Sequence, residues 1–160
     1  MLRSFDITLF KKRAMSDKDS VSIRNFISVN KIAAICCTDG NIPYCFHCFY
    51  VFDPDNYLLF FKSSDETWHA KLLTEDAPVA GSILPQKIEF LALKGIQFTG
   101  TVLYNGIPDQ INPESFYHKR LPLGLAKPGH VFCIQLESIK MTDNSLVFGK
   151  KFLWNKPELV

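Results

Sequence analysis

Long apolar runs are missing from this chain of 160 residues. A helix that crosses a bilayer needs about 20 consecutive apolar residues, and no stretch here approaches that. The opening MLRSFDITLFKKRAMS lacks the continuous apolar centre of a signal peptide. A soluble cytoplasmic protein is therefore expected. An excess of charge is missing too: 18 Lys and Arg stand against 16 Asp and Glu, for a formal charge of +2. That balance leaves no electrostatic footprint for nucleic acid, and no RNA- or DNA-binding motif appears. There is no glycine-rich dinucleotide fingerprint, so a nicotinamide cofactor would visit a site rather than dock on a Rossmann unit. No nucleophile triad or carboxylate pair stands out.

Cysteine is present, but not in a pattern that builds a framework. Five is an odd number, which argues against complete disulfide pairing. Cys45 and Cys48 form a C-x-x-C inside YCFHCFYVF, a stretch that reads as a strand. Residues three apart on a strand face opposite ways, as do the adjacent Cys36 and Cys37, so neither pair is placed for a shared bond or metal. No second C-x-x-C or histidine pair completes a zinc site. Buried, reduced thiols are the expectation.

What the chain does have is apolar bulk. Hydrophobic residues make up 47%, and 14 are Phe. One compact domain over residues 16–160 follows, with 1–15 as an N-terminal extension. Ser16–Val29 reads as a helix with Ile23, Phe26 and Ile27 on one face, capped by Ser16 or Ser20. Lys31–Thr38 and Ile42–Phe52 read as strands around an Asp39-Gly40-Asn41 turn. On the second strand, Tyr44, Phe46, Cys48, Tyr50 and Phe52 alternate with Cys45, His47, Phe49 and Val51. Val79–Leu84 reads as a third-to-fourth strand connection of good β-formers, and Ile88–Leu93, Gly95–Leu103, Val131–Met141 and Leu146–Trp154 are further strands, the last interrupted at Gly149. Asn112-Pro113-Glu114 opens a basic, aromatic helix that Pro122 closes. Short links between strands predict a mainly β protein, an antiparallel barrel with peripheral helices.

The stretch Tyr57–Leu73, YLLFFKSSDETWHAKLL, carries the functional signal. It starts as a buried strand and continues as a helix, with Ser63 and Glu66 in the form of a capping box and Pro78 beyond its end. Helix N-termini accept anions, and Lys62, Ser63, Ser64, Thr67, His69 and Lys71 crowd this one. The plain alternative is capping and solubility alone, with Asp65 and Glu66 complementing the helix dipole. His47, mid-strand among apolar neighbours, reads either as a hydrogen-bonded core or interface residue or as a ligand contact. Gln97 offers an amide to a heterocycle or to solvent.

Three strings carry a family resemblance: Thr67-Trp68-His69-Ala70, Lys94-Gly95-Ile96-Gln97-Phe98-Thr99-Gly100, and Met141 through Trp154. With them the chain, from about Ser16 to Trp154, resembles a small bacterial branch of the pyridoxamine-5′-phosphate-oxidase-like, FMN-binding split-barrel superfamily. The resemblance implies a six-stranded antiparallel Greek-key split barrel that forms a homodimer, with FMN in clefts at the subunit interface. It places the flavin phosphate after the third strand, where Lys62, Ser63 and Ser64 stand. The related oxidases carry Ser-Arg-Lys for that phosphate, and the matching positions here are Thr67, Trp68 and His69. His69, with Lys62 or Lys71, would replace the two missing charges. Gln97 lies on the strand where the oxidases use a glutamine near the flavin ring, offset by two residues. Trp154 resembles a late aromatic that covers the ring from the other subunit.

Two functions follow. The first is a flavin-dependent oxidoreductase that passes hydride or electrons from a nicotinamide donor, NADH or NADPH, to a small organic acceptor. The second is a non-catalytic dimer that stores or senses flavin or haem, with His47, His118 and His130 as candidate axial ligands. An emptied ancestral pocket is the dullest version of the second.

Overall fold

The computed structural model describes residues 17–89, 92–145 and 149–157. The N-terminal extension and the Ser16 cap lie outside them, as does the stretch 146–148 ahead of the last strand. Among the described residues three α-helices, α1 (Asp17–Val29), α2 (Trp68–Leu72) and α3 (Pro113–Arg120), surround seven strands. These are β1 (Ile32–Asp39), β2 (Ile42–Asp53), β3 (Leu58–Ser63), β4 (Pro78–Ile83), β5 (Lys94–Leu103), β6 (His130–Asp143) and β7 (Lys150–Asn155). Among the described residues, no helix is long and apolar enough to cross a membrane.

The strands pair antiparallel in the order β3-β2-β1-β4-β5-β6-β7, and a further β3–β6 pairing closes six of them into a ring. Two three-stranded meanders, β1-β2-β3 and β4-β5-β6, are thus joined where β4 returns beside β1, a Greek-key connection. This is the expected split barrel with one strand added outside the ring. β6 is long enough to serve two partners on one edge: its first half pairs with β3 (Leu58↔Gln135 to Ser63↔His130) and its second half with β7.

Alternation explains which residues fill the barrel. Phe46, Tyr50 and Phe52 of β2 point inward with Ile35 of β1, Ile96 and Phe98 of β5 and Ile134 of β6. β3 is buried on both faces, as its unbroken LLFF predicts. Leu59 and Phe61 enter the barrel, while Leu58 and Phe60 meet Val51, Tyr117 and Cys133 beneath α3. Each of these side chains, once buried, contributes about 1.5–3 kcal/mol. α1 lays Ile23, Phe26 and Ile27 on the core, and the Tyr50 hydroxyl donates to the Ile27 carbonyl at 2.7 Å, fixing the helix to β2.

Several local expectations change. α2 is capped by Thr67, not Ser63: Thr67 Oγ1 accepts from the Ala70 N–H, and the helix is a single turn. Asp65 and Glu66 stand before it, so they do not sit in its first turn. Ser20 lies inside α1 and bonds Tyr57 Oη at 3.0 Å. Pro78 opens β4; the end of α2 is set by the Leu73 N–H donating to the His69 carbonyl. Residues 88, 89, 92 and 93, expected to be strand, form none. The thiols are not uniformly interior: Cys37 and Cys133 are buried, but Cys45 is exposed. The Asn112 cap and N1 proline of α3 form as expected, with Asn112 Oδ1 accepting from the Ser115 N–H at 2.9 Å.

One close approach holds the closing seam. Gly129, just before β6, has φ +109°, and a Cβ there would lie 2.0 Å from the Ser63 carbonyl oxygen. Gly40 has φ +57° with open space around it. Gly40→Ala should therefore cost only the left-handed backbone term, roughly 1–2 kcal/mol. Gly129→Ala carries backbone strain of about 1–3 kcal/mol plus the clash, and should lower the urea midpoint clearly more.

Candidate functional site

The end of β3 delivers Lys62 and Ser63 to the rim of a cleft of about 470 Å³. That volume lies within the range of small-molecule sites, about 300–1,000 Å³. β2 supplies His47, Cys48 and Phe49 to one wall, and α2 supplies His69. The opposite wall comes from Tyr117 on α3 and from a 3₁₀ turn, Pro122–Ala126, with Leu121 before it and Lys127 after it. Leu123 is 83% exposed on that wall and Phe49 is 51% exposed facing it. The lining is thus mostly apolar, with two ammonium groups, the Ser63 and Tyr117 hydroxyls and two imidazoles, and none of the described lining residues is acidic.

The polar corner is built from side chains. His69 Nε2 bonds Ser63 Oγ at 2.7 Å, and Ser63 Oγ lies 3.2 Å from Thr67 Oγ1. Thr67 Oγ1 donates to the Ser64 carbonyl at 2.8 Å, which ties the turn after β3 to the helix. His69 is stacked flat on Phe46, with ring centroids 3.8 Å apart and planes 9° from parallel. Burial against that ring holds the His69 pKa below the ordinary imidazole value, so the free protein carries it neutral at pH 7. Burial pushes the Cys48 thiol up to about 12, which makes it an apolar part of the wall. A five-residue helix contributes little dipole. The anion-accepting character therefore comes from Lys62, Lys127, Ser63 and His69.

Lys62 is itself oriented. Its Nζ lies 3.1 Å from His118 Nε2, and His118 Nδ1 lies 3.4 Å from a Glu114 carboxylate oxygen. An ammonium can only donate, so Nε2 must offer its lone pair and Nδ1 must carry the ring proton toward Glu114. The other oxygen of Glu114 accepts from the Val131 N–H at 2.8 Å, which fastens α3 to β6.

The sequence candidates therefore divide. Lys62, Ser63, His69 and His47 are brought together at the cleft. Thr67 stands behind Ser63 as the helix cap. Ser64 sits in the turn, its side chain 3.4 Å from the Glu66 N–H, while Lys71 is exposed on α2 outside the lining. Trp68 is 49% exposed and also outside it. Gln97 lies exposed on the outer face of β5 between Ser82 and Lys140, away from the cleft. Trp154 is buried at 6% exposure and stacks on Tyr57 with centroids 3.9 Å apart, so it is a core residue of this chain. Its position on β7, opposite Ile139 in the core, fixes that outcome. Of the candidate haem ligands, His118 is held between Lys62 and Glu114, and His130 pairs with Asp65 and packs on Phe132. His47 is exposed in the cleft and also borders a smaller hollow beside Ile32, Ser82 and Leu84.

The wall that sequence reasoning missed is Leu121 to Lys127. Its signal was the string LPLGLAKPG, where two prolines bracket exposed leucines that have no helical or strand period to bury them.

Comparison with known proteins agrees with this architecture. No family model matches the chain. In the solved structure of a haem-binding protein from Mycobacterium smegmatis, 83% of this chain superposes on 57% of that one, with TM-score 0.67 and 10% identity. A FAD-binding protein from Mesorhizobium loti gives TM-score 0.59 and 15% identity, over 78% of this chain and 92% of the other. A Listeria innocua protein named for pyridoxamine 5′-phosphate oxidase gives TM-score 0.56 and 13% identity, over 79% and 98%. At these identities the likeness is one of fold, the split barrel. Sequence relatives are nearer. A UPF0306 protein of Photorhabdus laumondii is 33% identical over 135 residues, 84% of this chain and 94% of its own length. Another, from Yersinia pseudotuberculosis, is 33% identical over 146 residues, 90% of this chain and 99% of its own. With that identity spread along nearly the full length of both relatives, the chain belongs to the UPF0306 family.

Proposed function

We propose that the cleft binds flavin mononucleotide and that the protein is an FMN-dependent oxidoreductase acting as a homodimer. One observation carries the reading: Lys62, Ser63, His69 and Lys127 converge on an apolar cleft with no carboxylate among its described lining residues. Such a set suits a phosphate dianion at one end and a flat apolar ring system beyond it. Lys62 and Lys127 supply fixed charge, Ser63 a hydroxyl donor, and His69 takes up a proton when an anion arrives. Phe49 and Leu123 exclude water from the ring end. Bound FMN would supply hydride or single-electron chemistry, with NADH or NADPH as donor. The fold-level likeness to FAD- and haem-binding proteins is consistent with a large planar ligand.

A second reading has an observation of its own. His47 is an exposed imidazole in the cleft, and the split barrel from Mycobacterium smegmatis binds haem. A haem-storage dimer, in which His47 would hold the iron, is therefore the competing function. The dimer itself is argued from apolar exposure beside the cleft, where Ile32 and Phe49, paired across β1 and β2, and Leu84, just past the end of β4, are each about half exposed.

Fluorescence titration of the purified protein with FMN should show binding with quenching of the flavin. Lys62→Ala alone should weaken it about ten- to hundred-fold, since one charged hydrogen bond is worth roughly 1.5–3 kcal/mol, and adding His69→Ala should weaken it further. Unchanged affinity would place the phosphate elsewhere.

The pH dependence follows from the lowered His69 pKa. A bound dianion raises that pKa, so binding takes up a proton and affinity falls as pH rises through the value in the complex. Between about pH 6.5 and 8.5 the ligand's phosphate is mostly dianionic and does not supply the slope. Wild type should weaken with rising pH over that window, and His69→Gln should be flat.

Anaerobic mixing of the loaded protein with NADH or NADPH should bleach the flavin absorbance. Binding without bleaching by either donor would favour the storage reading, and a Soret band on adding haem, lost in His47→Ala, would establish it. Sedimentation equilibrium should return twice the chain mass; a monomer would remove the interface from the proposal.

A further inference from the structure

Cys36 and Cys45 face each other across the β1–β2 hairpin, directly opposite in register. The Tyr50 N–H donates to the Lys31 carbonyl at 3.0 Å, so positions 31 and 50 form a hydrogen-bonded pair. Alternation then makes 32/49, 34/47 and 36/45 non-hydrogen-bonded pairs, the kind in which opposed side chains come closest. Pro43, opposite Thr38 in the same set, fits because it has no N–H to offer. Non-hydrogen-bonded partners have Cα atoms about 4.5 Å apart, inside the disulfide range of about 4.4–6.8 Å. Their Cβ atoms, about 4.5–5.5 Å apart, exceed the usual disulfide spacing of about 3.5–4.5 Å by a small margin. A bond there must draw the strands slightly together, which makes it strained and readily reduced.

The other thiols do not compete. Cys37 and Cys133 are buried, and Cys48, three residues from Cys45, looks to the opposite side of β2. Cys45 is exposed and Cys36 half-buried, so a small reagent reaches the pair from solvent. The Cys36 thiol lies beside the Cys45 thiol. The neighbouring Cys45 thiol, followed by partial burial, pushes the Cys36 pKa up to about 11.

We propose that Cys36 and Cys45 are a redox-active dithiol that closes to a cross-strand disulfide when a small-molecule disulfide oxidises it. The Cys45 thiolate attacks one sulfur of the oxidant, forming a mixed disulfide and releasing one thiol. The Cys36 thiol loses its proton and attacks the Cys45 sulfur, which releases the second thiol. Two protein thiols are oxidised, one external disulfide is reduced to two thiols, and electrons and protons balance. Cys45 lies two residues from His47 on the same outward row of β2, so the bond would tie β1 to β2 beside the cleft whatever the cleft holds.

The test incubates the full chain in glutathione buffers of increasing oxidised fraction, traps free thiols with a maleimide, and maps the product by mass. The expected product has lost two hydrogens and links the Cys36 and Cys45 peptides within one chain, with Cys37 and Cys133 alkylated only after denaturation. Cys36→Ser should instead accumulate a stable glutathione adduct on Cys45, while Cys45→Ser should give little adduct. Both variants lie on the barrel's outer face, and their folding is checked by circular dichroism. A persistent glutathione adduct on wild-type Cys45, a link between two chains, or no reaction would each overturn the proposal.

Discussion

The pairing of β3 with the first half of β6 is the contact on which the remaining architecture rests. It converts an open sheet into a closed ring, pairing the outer edge of β3 with the first half of β6, both of which would otherwise expose unpaired backbone groups. It also sets Ser63 opposite His130 and brings Gly129 against the Ser63 carbonyl, so the backbone at the functional corner is fixed by the same seam. The doubly buried LLFF of β3 supplies the hydrophobic drive for that closure. The corner is therefore rigid because it terminates the most deeply buried strand of the barrel.

On this frame the cleft divides labour between two kinds of wall. The barrel side presents groups held by stacking and hydrogen bonds, with His69 flat on Phe46 and Lys62 aimed by His118. The outer side is a 3₁₀ turn whose leucines have found no core. Charge sits at the rigid side, where its position matters most to an anion, and adaptable apolar surface sits across from it. Lys62 is unusual in being directed by a neutral imidazole instead of a carboxylate. An adjacent Glu would have neutralised the ammonium, whereas His118 positions it and leaves its charge available.

How much of this was legible in the sequence depended on whether the signal was local. Strand alternation in Ile42–Phe52, the unbroken apolar run of β3 and the Asn112-Pro113 cap each follow from side-chain period or backbone chemistry within a few residues, and each formed. The cluster at Lys62, Ser63 and His69 was found for the same reason, because β3 and α2 are contiguous in the chain. The choice of Ser63 over Thr67 as cap failed because both are followed by a plausible first turn, and the winner was set by Ser63 being drawn into β3's ladder with His130. Trp154 resembled a late aromatic that covers the flavin ring from the other subunit, whereas its pairing with Ile139 places it in the core. The far wall of the cleft is some sixty residues from the near one, and no periodicity spans that distance. The Cys36–Cys45 pair was hidden likewise: C-x-x-C spacing drew attention along one strand, while the meaningful neighbour was across the hairpin.

Gly124, buried under the outer wall, has room for no side chain: a methyl there would stand 2.8 Å from the Tyr117 ring. The loop therefore rests directly on an aromatic plate that belongs to α3 and not to the barrel. Widening or narrowing the mouth would need only a larger residue at that resting point, or a smaller plate beneath it. Descendants of this chain have a route to ligands of different girth that leaves the closed β-ring untouched.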